Sequence, residues 1–332
     1  MALDPDYFLL ETGLNASWQT FTEKEKRIIA LKNDQLPRSE DELEQQHITA
    51  TACKKLLKYK DVNLKFLSQQ GESFPATYQE FIYRTAKHFC EYPEKLPEQF
   101  IDRLYKYILS DYPCHIATLN YDKLLYEWLI EKKICSGYYG DLVDGIHNTT
   151  GNFCHENLLR ITKKFGWYLH LHGSPLFKSE NDGIRKENIR LSLPEAFDEN
   201  GEHSHIVLTN TKYKTDVISG SDLLAVYFDF FINALSESNK IISLGYSGFD
   251  DHINFEIKKW ITNKIMGNTK INSNPKFTIE IVEWDGSNNN QSFWEDKLFP
   301  KFNYQTISVH DHIVINIKRL PNILKYDFRL NN

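Results

Sequence analysis

The chain has 332 residues, 41% of them hydrophobic and 25% charged, with a formal net charge of -6. Such a chain can bury a sizeable core, and its acidic balance argues against a dedicated nucleic-acid binder, though not against a local basic patch. No run of about 18 apolar residues occurs, so no membrane span is expected. The opening Met-Ala-Leu-Asp-Pro-Asp has no basic segment followed by an apolar one, so no signal peptide is expected and the expected location is the cytoplasm.

Tyr7 to Leu10 reads as a short apolar strand, followed by the turn Gly13-Leu14-Asn15-Ala16-Ser17 before a helix. A glycine-containing turn between a first strand and a first helix is where dinucleotide folds seat phosphate. Asn tolerates a positive φ, so Asn15 can replace a glycine there. Leu14 is bulky for a residue beside a pyrophosphate. From about 40 to 111 apolar residues recur every three or four positions, as in Phe81, Ile82, Ala86, Phe89 and then Phe100, Leu104, Ile108. That period predicts a helical insertion whose task is packing.

Ile116 to Leu119 is the next expected strand, and Asn120-Tyr-Asp122 opens a helix over Lys123 to Lys132. A Gly- and Asn-rich excursion separates Cys135 from Phe165, and Trp167 to Leu171 is a strand that ends at His172. Asn181 to Glu202 is polar and charged, which predicts an exposed loop or lid. Ile206 to Thr209 is expected as a short strand. Asp222 to Ser236 reads as an amphipathic helix, Lys240 to Leu244 as a buried strand, His252 to Asn263 as a helix and Phe277 to Trp284 as a strand. In the tail, Thr306 to His310 and Ile313 to Ile317 both alternate and can form strands. Strands alternating with helices predict an α/β, Rossmann-like doubly wound parallel sheet with a helical insertion. The expected division is one α/β domain over 1–300, with the insertion at about 40–111, and a tail over 301–332.

The five cysteines are widely spaced and form no Cys-x-x-Cys pair, so a tetracysteine zinc module cannot be built. His203-Ser-His205 and His310-Asp-His312 alternate as metal-ligand pairs can, but neither has a third ligand at a suitable spacing. They read as polar surface or loop histidines, and no metal is expected.

Three strand ends carry the polar chemistry: Asn120-Tyr-Asp122, His172-Gly-Ser174 and Gly245-Tyr-Ser247-Gly-Phe-Asp250-Asp251-His252. In an open parallel sheet ligands bind beyond the carboxyl ends of strands. Each residue also has a plain structural reading. Asn120 or Asp122 can be a helix cap, and His170 and His172, two apart on one expected strand face, can both be core histidines. Glu283 or Asp285, at the end of a strand, can accept hydrogen bonds from ribose hydroxyls or simply face solvent.

Taken in order, these segments resemble the sirtuin-like NAD-consuming domains of bacterial antiphage defence, over roughly residues 5 to 290. The resemblance implies a catalytic Asn120 and His172, with Asp122 near the nicotinamide and Tyr121 in packing. It implies nucleotide binding by Gly13, Asn15, Ser17, Gly245, Ser247 and Asp251, and makes Glu283 the candidate for the adenosine ribose. Two adjacent carboxylates beside a pyrophosphate repel, so one of Asp250 and Asp251 is expected to point away. A second register sets Gly13-Leu14 against a later Gly-Leu-Pro of the family and leaves no phosphate loop.

The activity implied is hydrolysis of NAD, as substrate, to nicotinamide and ADP-ribose, by an abortive-infection effector. Such relatives act as homo-oligomers or with a separate protein such as a translocase or phage sensor. Two alternatives stand beside it: a degenerate NAD- or ADP-ribose-binding regulatory subunit, and a protein-modifying sirtuin, in particular an ADP-ribosyltransferase. Lack of zinc cysteines weighs against a deacetylase.

Overall fold

The computed structural model describes residues 14–30, 36–58, 67–110, 113–161, 163–194, 205–267, 277–301 and 309–328. The expected strand Tyr7 to Leu10, Gly13, His203 and residues 306–308 of the first tail strand lie outside them. In chain order the elements are α1 (14–20), α2 (Glu23–Ile29), α3 (Glu44–Leu57), α4 (Gln69–Cys90), α5 (Glu98–Ser110), β1 (Ile116–Thr118), α6 (Leu124–Glu131), β2 (Leu142–Val143), β3 (Gly166–His170), β4 (Phe177–Glu180) and β5 (Gly183–Lys186). Then follow α7 (Thr211–Ser219), α8 (Asp222–Glu237), β6 (Lys240–Leu244), α9 (Asp251–Gly267), β7 (Phe277–Trp284), α10 (Gln291–Leu298) and β8 (Ile313–Leu320). Among the described residues no single helix is long and apolar enough to cross a membrane.

The chain divides into two compact units, one of Pro5–Lys95 with Pro113–Phe228, the other of Met1–Asp4, Leu96–Tyr112 and Asp229–Asn332. In the first unit the sheet order is β1-β3-β2, all parallel. β3 is central, and all five of its residues are buried, as expected for a parallel strand covered on both faces. β4 and β5 form an antiparallel hairpin beside it. The helices of this unit are set by their caps and apolar faces. Thr22 and Glu25 close a capping box on α2, and Ser68 caps α4 by accepting from the Gly71 amide. Tyr78, Phe81, Ile82 and Ala86 of α4 bury one face against Leu14, Phe21, Ile29 and Leu43.

In the second unit the order is β6-β7-β8, again all parallel. Parallel strands joined through helices make the whole a mixed α/β, Rossmann-like arrangement. β7 is central and carries Ile279, Ile281 and Val282 into the core. On the same strand Glu280 is buried between Lys240 Nζ at 3.2 Å and Lys318 Nζ at 3.3 Å, and accepts from the Tyr326 hydroxyl. Arg103 of α5 donates to the carbonyls of Tyr326 and Leu324, pinning the end of the chain.

Several local expectations need correction. Ile206 to Thr209 forms no strand, only an isolated antiparallel bridge from Ile206 to Gly173. Its backbone partners lie in a tight turn, with Ser174 N donating to His205 O and Val207 N to His172 O, so a ladder has nothing to extend along. β6 is half-buried rather than buried, because it is an edge strand of its three-stranded sheet. Val309 and His310 lie in a 3-10 turn, not in a strand. Asn15 sits inside α1, and Lys133 is the one non-glycine residue with positive φ among those described, so the left-handed turn expected at Asn15 is not formed. Leu14, its neighbour, is fully buried in the core cluster.

Candidate active site

β1 and β3 are hydrogen-bonded in parallel, with Thr118 opposite His170. Leu171 N extends this pairing by donating to Thr118 O at 2.9 Å. Asn120 follows β1 and His172 follows β3, each two residues beyond the last matched pair, Thr118 and His170. Both therefore come after the carboxyl ends of neighbouring parallel strands, where ligands bind in open α/β sheets.

The strand does not continue to His172. It ends at His170, and Gly173 N closes a turn onto His170 O at 3.1 Å. Gly173 has φ +76°, and a Cβ there would lie 1.8 Å from His205 O. Only glycine fits the turn. This corrects the expectation that alternation sets both histidines on one face: the turn, not the pleat, aims His172.

His170 is a core histidine, but not a hydrogen-bonded one. Both of its ring nitrogens are buried without a hydrogen-bond partner. Its ring meets those of Tyr126, Tyr168 and Phe177 at 4.7, 5.1 and 5.3 Å. Burial drives its pKa down to about 3, partly countered by Asp144 and reinforced by Lys186, so the imidazole is neutral. Asp144 is itself buried, accepting from the Tyr126 hydroxyl and from Ile146 N at 3.0 Å, with Lys186 Nζ 3.8 Å away. Nothing in the local sequence marks Asp144, because its side-chain partners Tyr126 and Lys186 come from α6 and β5.

Asn120 is half-buried, and its backbone N–H donates to Thr118 Oγ1 at 3.1 Å. Its side-chain amide has no hydrogen-bond partner among the described residues. Asp122 Oδ1 accepts from Leu124 N at 3.1 Å, an Asx turn leading into α6, whose N-cap residue Lys123 makes no side-chain capping bond. Tyr121 stacks on Phe89 at 6.3 Å and donates its hydroxyl to Val207 O, a packing role. His172 is 4% exposed and Ser174 2%. Cys90, at the end of α4, is close to Asp122, Lys123 and Ser174, and burial pushes its thiol up to about 12. It is an inert neighbour rather than a nucleophile.

The first turn is differently placed. Ser17 is buried, and its hydroxyl donates to Phe81 O at 3.2 Å. Asn15 is exposed on α1. His205, one of the alternating histidines, has both ring nitrogens engaged, by Ser221 Oγ at 2.7 Å and Ser179 Oγ at 3.0 Å.

In the second unit Gly245 follows β6 with φ +65°, a left-handed bend that favours glycine. The loop it opens is braced from inside. Tyr246 donates its hydroxyl to Asn254 Oδ1 at 2.9 Å, and Asn254 Nδ2 donates to Gly248 O at 2.7 Å. Ser247 is half-buried within it. The two adjacent carboxylates have different surroundings: Asp250 is 9% exposed, whereas Asp251 lies exposed in the first turn of α9. Glu283 is buried, not solvent-facing, and its Oε1 accepts from Trp294 Nε1 at 3.0 Å and Asn289 Nδ2 at 3.1 Å. Its Oε2 lies 3.8 Å from Arg319 Nε and has no hydrogen-bond partner. Asp285 is exposed. Asn254 escaped the sequence reading because a buried amide in a helix has no local signature.

An open parallel fold with polar residues gathered at strand ends defines a nucleotide-binding class of α/β protein. The family model for a SIR2-like domain matches residues 114–299, more than half of the chain, and the protein belongs to that family. Membership connects the chain with NAD-related chemistry, and the matched span holds all three strand-end segments but not Gly13 to Ser17. No curated protein matches the chain.

Proposed function

We propose that this SIR2-like protein is an NAD+ hydrolase that releases nicotinamide and ADP-ribose. The observation that supports the reading is the parallel pairing of β1 with β3, after whose carboxyl ends Asn120 and His172 follow. In the reaction the bond from ribose C1′ to the nicotinamide nitrogen breaks, and its electron pair leaves with neutral nicotinamide. Water forms the new C1′–O bond and gives up one proton. Asn120, whose side-chain amide has no hydrogen-bond partner among the described residues, directs that water or the ribose. His172 accepts a proton from the ribose hydroxyl or the water. Glu283, one of whose buried oxygens accepts no hydrogen bond, supplies an acceptor for adenosine ribose hydroxyls, and Gly245, Ser247 and Asp251 line the nucleotide.

The biological role we propose is an abortive-infection effector in antiphage defence, acting in the cytoplasm as an oligomer or with a partner protein. Nicotinamide release by the purified chain, with and without its genomic neighbours, tests the chemistry. Asn120→Ala and His172→Ala are each expected to lower turnover by about two to four orders of magnitude. Full activity in both variants overturns the assignment.

One observation favours a second reading, a regulatory subunit that binds NAD or ADP-ribose without turnover. Among the described residues of the first turn, Leu14 is spent on the core and Ser17 on Phe81 O, neither on phosphate. Calorimetric NAD binding without nicotinamide release supports that reading, and transfer of labelled ADP-ribose to protein supports a transferase instead.

A further inference from the structure

The segment after β5 is exposed at most of its described positions, as its polar composition predicts, but it is docked at two of them. Glu187 N donates to Leu176 O at 2.7 Å, and its carboxylate pairs with Lys178 Nζ at 2.7 Å. Ile189 and Leu193 are 5% and 4% exposed, while Leu191 between them is 62% exposed. Two apolar plugs four residues apart thus point inward. Their burial removes apolar surface from water, so this is a docked strap and not a free loop.

Three polar pins hold the strap, and two of them, Lys123 and Glu91, come from the surroundings of Asp122. Lys123 Nζ donates to Ile189 O at 2.6 Å. Leu193 N donates to Glu91 Oε1 at 2.7 Å. Tyr83 Oη donates to Pro194 O at 3.0 Å. Lys123 directly follows Asp122. Glu91 follows Cys90, which neighbours Asp122 and Ser174, and it is held in turn by Lys87 Nζ at 3.1 Å. When the chain is next described, at residues 205–207, it is bonded to the turn that carries His172.

Resting on the hydrolase reading, we propose that residues 187–194 form one wall of the nucleotide site, and that Lys123 is a positioning residue that latches this wall to the Asn120–Asp122 loop. The latch is a charge-assisted hydrogen bond from a half-buried ammonium to a backbone carbonyl, a strong type. It acts on the place of the wall and not on the reacting bond. Its loss therefore weakens binding of ground and transition states alike, which raises KM and leaves kcat nearly unchanged.

The test compares wild type, Lys123→Met and Lys123→Arg in NAD turnover and in hydrogen exchange of the 187–194 peptide without nucleotide. Methionine keeps the stem and removes the donor, whereas arginine keeps a donor. Lys123→Met is expected to raise KM about tenfold with kcat within about twofold, and to speed exchange of the Leu191 and Leu193 amides. Lys123→Arg is expected to restore both. Unchanged KM, a fall in kcat alone, or a loss of thermal stability that arginine does not rescue overturns the proposal. If wild type binds NAD without consuming it, the hydrolase reading fails by itself and Kd replaces KM. A Kd raised about tenfold in Lys123→Met and recovered in Lys123→Arg then supports the latch, and an unmoved Kd overturns it. A wild type that binds no NAD overturns both.

Discussion

His170 makes the stability of this protein depend on pH in a calculable way. The imidazole is buried, both nitrogens lack partners, and aromatic rings from α6, β3, β4 and α8 enclose it. The ionisable groups that face it are Asp144 and Lys186, with the phenols of Tyr126, Tyr168 and Tyr227. Its folded pKa is about 3, against 6.5 for the free side chain. The unfolded chain therefore binds more protons than the folded one between those two values, and stability falls as pH drops through that window. Above pH 7 the group costs almost nothing by this route. At pH 5 the linkage amounts to about 2 kcal/mol, since each pH unit below 6.5 adds about 1.4 kcal/mol.

His170→Phe fills the same space with an aromatic ring and leaves no unpaired nitrogen. It is expected to stabilise the protein at pH 7.5 by about 1–3 kcal/mol, the desolvation penalty of an unsatisfied polar group. It is also expected to remove about 2 kcal/mol of the stability lost between pH 7.5 and pH 5. Urea unfolding of both proteins at the two pH values measures this. A variant less stable than wild type at pH 7.5, or one that keeps the wild-type pH dependence, refutes the reasoning.

Two further outcomes follow from the packing. Burial alone would raise the Glu280 carboxyl, but hydrogen bonds from Tyr326, Lys240 and Lys318 hold it below the usual value. Glu280→Gln should cost about 3 kcal/mol at pH 7, the low end for a broken buried pair, because both lysines keep some contact with water. Because that carboxyl pKa is lowered on folding, its contribution is present above 4.5 and is lost as pH falls through the lowered value. The difference between the variant and wild type should therefore shrink in acid, and a difference in urea unfolding that grows there counts against the ion cluster. Gly173→Ala combines a positive φ with a Cβ 1.8 Å from His205 O, so the turn must open. A loss of at least about 2 kcal/mol with loss of His172-dependent activity is expected, and a variant of normal stability and turnover contradicts the role given to the turn.

The elements with strong periodicity were legible in the residues. Phe277 to Trp284 is a strand over its full expected length, Lys240 to Leu244 likewise, and the helices over 44–110 follow the three- and four-residue spacing of their apolar positions. The family was legible too, because polar residues interrupting apolar runs at strand ends are few and ordered. What failed was local conformation where one residue answers to a distant partner. Leu14 reads as an awkward member of a phosphate turn until the core cluster around Phe21 and Phe81 shows what it fills. Ile206 to Thr209 alternates as a strand does, but its partner is a turn.

By itself the sequence determined which segments can be strands or helices, and which polar residues stand at strand ends, because periodicity and propensity are properties of neighbouring residues. Only the tertiary structure decided that Thr118 pairs with His170, across 52 residues of chain, so that the segments holding Asn120 and His172 follow neighbouring strands. It also decided that Glu283 is buried against Trp294, and that Tyr83, Glu91 and Lys123 share one strap. Those facts are register and burial. Both are set by which surfaces exclude water together, and no short window of residues contains the two surfaces at once.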